Sequence, residues 1–305
     1  MICMNWIIWA NSIRCWQKRP KMWVALLQLN CSDDPDENLS QTLDMLSQAV
    51  DQGAEFIATP EVTNIISGNR AHQRSVLHPQ SEDPTLAALR DRARVHGVWV
   101  LIGSLALLSE DSEGRFVNRS FLITPAGDIA VTYDKIHMFD VTLSETESYR
   151  ESDGYRPGDV AKLAETPFGG IGLSVCYDVR FPHLYRALAQ AGARILTVPA
   201  AFALTTGKAH WEILLRARAI ETGCFVLAPA QCGNHRVRTG PARQTYGHSM
   251  VIGPWGDIIA QGDGQKSIVF ADIDLRDVDK ARARVPSLDK TQAFSGPEIC
   301  RIPVT

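Results

Sequence analysis

An α/β fold, with mixed sheets covered by helices, is the class this sequence predicts, and three observations predict it. Short apolar runs alternate with segments of helical periodicity along most of the chain. Two pairs of runs are joined by turn residues that read as hairpins, Pro125-Ala126-Gly127-Asp128 and Pro254-Trp255-Gly256. The runs are apolar throughout, as in sheets covered on both faces. Periodicity alone does not separate α/β from α+β.

The elements follow in order. The first strand is 23–29. A helix over 35–52 has Asp34 as N-cap and Gly53 as stop, with Leu39, Leu43, Leu46 and Val50 as its apolar stripe. The strand 55–59 leads to a helix over 84–96, capped by Asp83 and ended by Gly97. Strands follow at 98–102, 116–124 and 129–133. The segment 140–160 is polar and aperiodic and reads as a functional loop. A strand over 171–175 runs into a helix over 182–191, with Pro182 in its first turn and Gly192 at its end. Then come a strand at 194–198, a helix over 208–222 stopped by Gly223, and a strand at 224–228. The last strands are 246–252, 257–260 and 267–272, and periodicity is lost after Pro286.

No low-complexity linker divides the chain, so 22–286 is read as one domain and 287–305 as a tail. Residues 1–21 are expected to be a poorly ordered extension. They are apolar and Trp-rich at first, lack a basic n-region, and are too short to span a bilayer. At 305 residues the chain can bury a large core. A net charge of −3, with both signs interspersed, gives no electrostatic case for nucleic acid. Seven scattered cysteines without C-x-x-C spacing suggest neither a zinc site nor a redox pair. They read as reduced thiols of a cytoplasmic protein that needs no metal or cofactor and no membrane.

Three strand ends carry chemistry. Cys176 follows the apolar run 171–175 on a tight turn toward a helix. Free N–H groups there would lower the thiol's pKa and stabilise an oxyanion. The alternative is a cysteine acting as a small core hydrophobe. Glu61 follows the strand 55–59 through Pro60, and Lys135 ends the strand that starts at Ile129. Singly, a Glu or Lys at a strand end is usually solvated. Together the three lie where open sheets place their sites. A carboxylate can take a thiol's proton if burial raises its own pKa. His137, His183, His210 and His248 are candidates for the commoner Cys–His solution, and nothing in the sequence selects among them.

With their flanks, these residues resemble the nitrilase (carbon–nitrogen hydrolase) superfamily and its Glu–Lys–Cys triad. The resemblance rests on Pro60-Glu61, Asp134-Lys135-Ile136-His137, Arg156-Pro157-Gly158-Asp159 and the run from Val175 to Pro182. It implies a four-layer α-β-β-α sandwich, a homodimer or larger homo-oligomer, and a small-molecule amide substrate. It implies Cys176 as nucleophile, Glu61 as base and Lys135 as oxyanion partner, aided by a backbone N–H near Tyr177. It also implies a second Glu that orients the Lys. Glu151 is the choice, with Glu145 and Glu147 as competitors.

Stretches 187–202 and 207–222, which include Phe202 and His210, look like the branch that holds deaminated-glutathione amidases and omega-amidases. Ala230-Gln231-Cys232-Gly233 and 246–250 look more like the former. Two departures stand out: His183 replaces a Glu usual in the branch, and the tail lacks its Arg-Pro-Asp-Tyr-like ending. A substrate of that branch carries a carboxylate. Tyr177, Arg180 and Phe202 are the expected substrate contacts, with Arg180 either a carboxylate clamp or a structural partner of Asp178. Nitrilase or N-carbamoyl hydrolase chemistry on the same triad and a non-enzymatic scaffold are the competing functions.

Overall fold

The computed structural model of the chain describes residues 20–301 apart from 146, 239, 241 and 291. Its strands, in chain order, begin with β1 (Lys21–Gln28), β2 (Phe56–Ala58), β3 (Trp99–Leu107), β4 (Val117–Ile123) and β5 (Ile129–Asp134). They continue with β6 (Asp140–Thr142), β7 (Ser148–Arg150), β8 (Leu163–Thr166), β9 (Gly169–Leu173), β10 (Ala193–Thr197) and β11 (Phe225–Ala228). The last are β12 (Cys232–His235), β13 (Arg243–Tyr246), β14 (Met250–Ile252), β15 (Ile258–Gln261) and β16 (Ser267–Asp274). The helices are α1 (Pro35–Asp51), α2 (Arg70–Val76), α3 (Pro84–His96), α4 (Pro182–Gln190), α5 (Leu204–Thr222) and α6 (Arg276–Arg284).

Two six-stranded sheets form, in the orders β16-β1-β2-β3-β4-β5 and β15-β14-β11-β10-β9-β8. Each has three parallel central strands, β1-β2-β3 in one and β9-β10-β11 in the other. Each is finished by antiparallel strands, one on one side and two on the other. One apolar cluster joins Leu27, Ile57 and Val100 of the first sheet to Met45, Leu46, Leu89 and Ala93 of α1 and α3. A larger one joins the other face, through Val24, Leu26 and Leu101, to the second sheet and to Leu188, Trp211 and Leu215 of α4 and α5. The layers are therefore α-β-β-α, as the resemblance implied.

Local rules held at the caps. Asp34 accepts from the backbone N–H groups of Asp36 and Glu37, and Asp83 from that of Leu86. Gly97 and Gly223 end α3 and α5 in the left-handed conformation. The stripe of α1 needs correction. Its buried face is Asn38, Thr42, Met45, Leu46 and Ala49, rotated from the expected Leu39, Leu43 and Val50. Asn38 turns inward because its amide donates to the Ser32 and Asn64 carbonyls, both at 2.9 Å.

Other corrections have similar causes. The expected strand 246–252 is broken because Gly247 and His248 have φ of 72° and 55°. β13 and β14 lie on either side of the break. The polar segment 140–160 contains the hairpin β6–β7 and a 3₁₀ turn, Glu151–Asp153. α2, α6, β8 and β12 were not expected. α6 is mostly charged and buries only Val278 and Ala281, so no apolar period marks it. β1 begins at Lys21, one residue inside the expected extension, and the Pro20 carbonyl already accepts from Leu275. Residues 1–19 lie outside the described residues. In the tail, the Leu288 side chain is buried while 292–301 is exposed and without regular structure. Among the described residues no helix is long and apolar enough to cross a membrane.

Candidate active site

Three strand ends meet between the two sheets. Glu61 lies three residues past β2, Lys135 directly follows β5, and Cys176 lies three residues past β9. Gly103 lets them close together. A side chain there would run into the Thr59 and Pro60 carbonyls and into Pro199, so only hydrogen fits where the chain leaving β2 runs beside β3. Gln231, after β11, ties the sheets from the other side. Its amide donates to the Glu61 carbonyl at 3.1 Å and accepts from the Cys31 N–H at 3.1 Å.

Glu61, Lys135 and Cys176 converge. They are 4%, 2% and 6% exposed. The Lys135 ammonium donates to Glu61 Oε1 at 2.8 Å. It also donates to both oxygens of Glu151, at 2.9 and 2.8 Å. Glu151 is thus the expected second carboxylate by position, and it is held by the Phe139 N–H at 2.6 Å. Glu147 instead accepts from Tyr149 and Thr205 at the surface, and Glu145 is exposed. The other Glu61 oxygen, Oε2, accepts from the Ala201 N–H at 2.8 Å. The Cys176 thiol lies beside the same carboxylate, close enough to feel its charge.

The electrostatics differ from expectation at two groups. Burial opposes the charge of Glu61, but Lys135, with a smaller contribution from Arg243, outweighs it and holds the carboxyl below its usual range. Burial and the Glu61 charge push the Cys176 thiol well above its usual value, with Lys135 opposing. Among the described residues no α-helix N-terminus lies at the thiol to counter this. Cys176 has φ 51° and opens a 3₁₀ turn, Cys176–Arg180, and α4 starts only at Pro182. Burial also opposes the Lys135 charge, yet Glu151 and Glu61 keep the ammonium's pKa well raised. The resting site therefore holds a neutral thiol, an ionised Glu61 and an ammonium. At such a site the thiol needs a base close by, and Glu61 is the carboxylate whose charge it feels most.

Two more polar residues frame the site: Asn118, which was not singled out, and Asp178, which was considered only as a partner for Arg180. The Asn118 side chain, on β4, donates to Glu61 at 2.9 Å, and the Asn118 backbone carbonyl accepts from the Lys135 N–H at 3.0 Å. A lone amide inside the apolar run 116–124 was its only signal. Asp178 is fully buried. It accepts from the Val175 N–H at 2.8 Å, the Tyr133 hydroxyl at 2.7 Å and the His137 N–H at 3.0 Å. The His137 ring nitrogen lies 2.6 Å from it. Asp178 is therefore no partner of Arg180.

Arg180 packs over the Tyr177 and Phe202 rings, at 5.8 and 5.4 Å, and against His210. Phe202 is buried against Trp211, and the Tyr177 ring lies against Phe139 and Phe181. The four histidines considered stand elsewhere. His137 binds Asp178, His210 meets Arg180, His183 lies by His137, and His248 by Tyr246. Among the described residues no cluster of His, Cys, Asp or Glu is arranged to hold a metal ion.

A thiol, a carboxylate and an ammonium brought together at strand ends of an α-β-β-α sandwich define a cysteine hydrolase. The chain belongs to the carbon–nitrogen hydrolase family, whose model matches residues 23–283. It is a hydrolase acting on carbon–nitrogen bonds. It is 40% identical over 273 residues to the deaminated glutathione amidase of Yersinia enterocolitica, covering 89% of this chain and 93% of that protein. Its fold matches the crystal structure of the Caenorhabditis elegans NitFhit protein with a TM-score of 0.82 and 34% identity. That match covers 90% of this chain and 66% of the other. A mutant amidase from Nesterenkonia sp. AN1, with a TM-score of 0.70 and 25% identity, covers 87% of this chain and 95% of its own. It carries the acetamide moiety of fluoroacetamide on its active-site cysteine.

Proposed function

We propose that this chain is a cysteine-dependent amidase that hydrolyses deaminated glutathione, the 2-oxo analogue of glutathione, to 2-oxoglutarate and cysteinylglycine. The reading rests on one observation above all: a buried thiol beside the Glu61 carboxylate, which Lys135 and Asn118 hold by hydrogen bonds. The name of the Yersinia enterocolitica relative supports the substrate.

The steps follow from the geometry. Glu61 takes the thiol proton as Sγ attacks the amide carbon. The ammonium of Lys135 faces the negative charge that collects on oxygen, and the Tyr177 N–H lies at the start of the turn, where no helical carbonyl serves it. Collapse breaks the C–N bond, Glu61 protonates the departing amine, and the acyl group stays on sulfur as a thioester. Water, deprotonated by Glu61, then attacks the thioester and releases the acid, and the proton returns to the thiolate. Glu151 fixes the ammonium without touching the reacting atoms. Arg180 is assigned to the carboxylate of the 2-oxo acyl half, with Tyr177 and Phe202 forming the walls against which it rests.

The chain acts in the cytoplasm, where its free thiols stay reduced. It acts as a homodimer. Ile213 and Ile220, 69% and 57% exposed on α5, are the apolar side chains that a second copy would cover. The test is product analysis on a panel of deaminated glutathione, short omega-amides and nitriles. Release of 2-oxoglutarate and cysteinylglycine at the highest kcat/KM is expected. A preference for neutral amides or nitriles would overturn the substrate.

A further inference from the structure

Arg243, on β13, forms no ion pair among the described residues. Its Nε, shielded from solvent, has no hydrogen-bond partner. One of its terminal nitrogens donates to the Ala201 carbonyl at 2.6 Å, and the guanidinium lies 5.7 Å from the centre of the Tyr149 ring. Glu147, the acid bonded to that tyrosine, is engaged with the Tyr149 and Thr205 hydroxyls. Among the described residues no carboxylate forms an ion pair with Arg243. A shielded donor left unpaired is costly, more so on a charged group. The arrangement calls for an acceptor that arrives from outside.

The position says which end of a substrate would bring it. Ala201 binds Glu61 through its N–H and Arg243 through its carbonyl. Arg243 thus stands one residue from the group that must protonate the departing nitrogen. Arg180, by contrast, stands on the turn that carries the nucleophile, against Tyr177 and Phe202. The two arginines thus stand on different elements, one beside the nucleophile's turn and one beside the residue that binds Glu61. Arg243 is close enough to Glu61 to help hold its carboxyl ionised.

We propose that Arg243 is a specificity-determining residue that binds a carboxylate on the amine half of the amide substrate, through its free Nε–H and an adjacent N–H. This rests on the amidase reading above, and narrows it to amides whose leaving group is an amino acid or short peptide with a free carboxyl end. The forked guanidinium suits a carboxylate in a way that a lysine does not.

The experiment compares kcat and KM for deaminated glutathione and for the same compound with its terminal carboxylate converted to an amide. The wild type should prefer the carboxylate. Arg243→Gln should cut that preference roughly 10- to 100-fold, the range expected for a lost charge-assisted hydrogen bond, chiefly through KM. Arg243→Lys, which keeps the charge and loses the fork, should restore part of it. Equal losses on both substrates, with a displaced acid limb of the pH–rate profile, would show that Arg243 only tunes Glu61. That result would overturn the proposal and leave the amidase reading standing, as would a wild type indifferent to the amidation. A wild type that cleaves neither compound would overturn both.

Discussion

Asp178 and His137 are joined twice. The carboxylate accepts from the His137 backbone N–H at 3.0 Å and lies 2.6 Å from its ring nitrogen. His137 is two residues past Lys135, and Asp178 two past Cys176. One buried acid therefore fixes the spacing of the oxyanion partner and the nucleophile. Asp178→Asn would point an amide N–H at a donor. It should destabilise the protein by about 1–3 kcal/mol, the cost of an unsatisfied buried donor. It should also lower kcat more than it raises KM, as thermal unfolding and steady-state kinetics would show.

Lys135 faces both carboxylates and the site of oxyanion charge. Lys135→Ala should reduce the rate on the order of 10²–10³-fold, as for loss of one oxyanion donor. Lys135→Arg should recover little, because a planar fork cannot occupy the point that the ammonium fills between Glu61 and Glu151. A near-normal rate in the Arg variant would mean that Lys135 supplies only diffuse positive charge.

Arg180, which forms no ion pair among the described residues, is expected to serve substrate. Arg180→Ala should raise KM for a 2-oxo acid amide well above its effect on a neutral short amide. Equal losses on both would remove it from recognition.

His235 sets a pH dependence of stability. Burial, reinforced by Arg243 and opposed by a bond to the Cys31 carbonyl, lowers its pKa from 6.5 to about 4. The neutral ring donates from Nδ1 to that carbonyl and accepts from the Thr245 hydroxyl, both at 2.7 Å. Between those two pH values the unfolded chain binds the extra proton, so stability rises with pH across that window. As pH falls through it, up to about 3 kcal/mol is lost. Unfolding measured from pH 7 to pH 4 should show this slope, and His235→Gln should flatten it.

The legible parts of this chain were those governed by local rules. Caps at Asp34 and Asp83, stops at Gly97 and Gly223, and the apolar central strands all depend on residues close in sequence. So did the three strand-end residues, whose types are conspicuous where they stand. The hidden parts depend on partners far along the chain. Asn38 is buried because Asn64 waits for it, and Asp178 organises the site because His137 and Tyr133 reach it across β5. Arg243 gave no signal, since its approach to Ala201 exists only once β13 packs beside 201–203. The charge state of Glu61 was misjudged for the same reason. Desolvation can be read from an apolar flank, but the closeness of Lys135 cannot.

The most direct test is the covalent intermediate itself. Acid-quenched mixtures of enzyme and deaminated glutathione, examined by intact-mass and peptide mass spectrometry, should show a 2-oxoglutaryl adduct on Cys176. Cys176→Ala, which keeps the buried fold, should show neither adduct nor turnover. Turnover without any adduct, or a Cys176→Ala enzyme that works at the wild-type rate, would contradict thiol catalysis at this site.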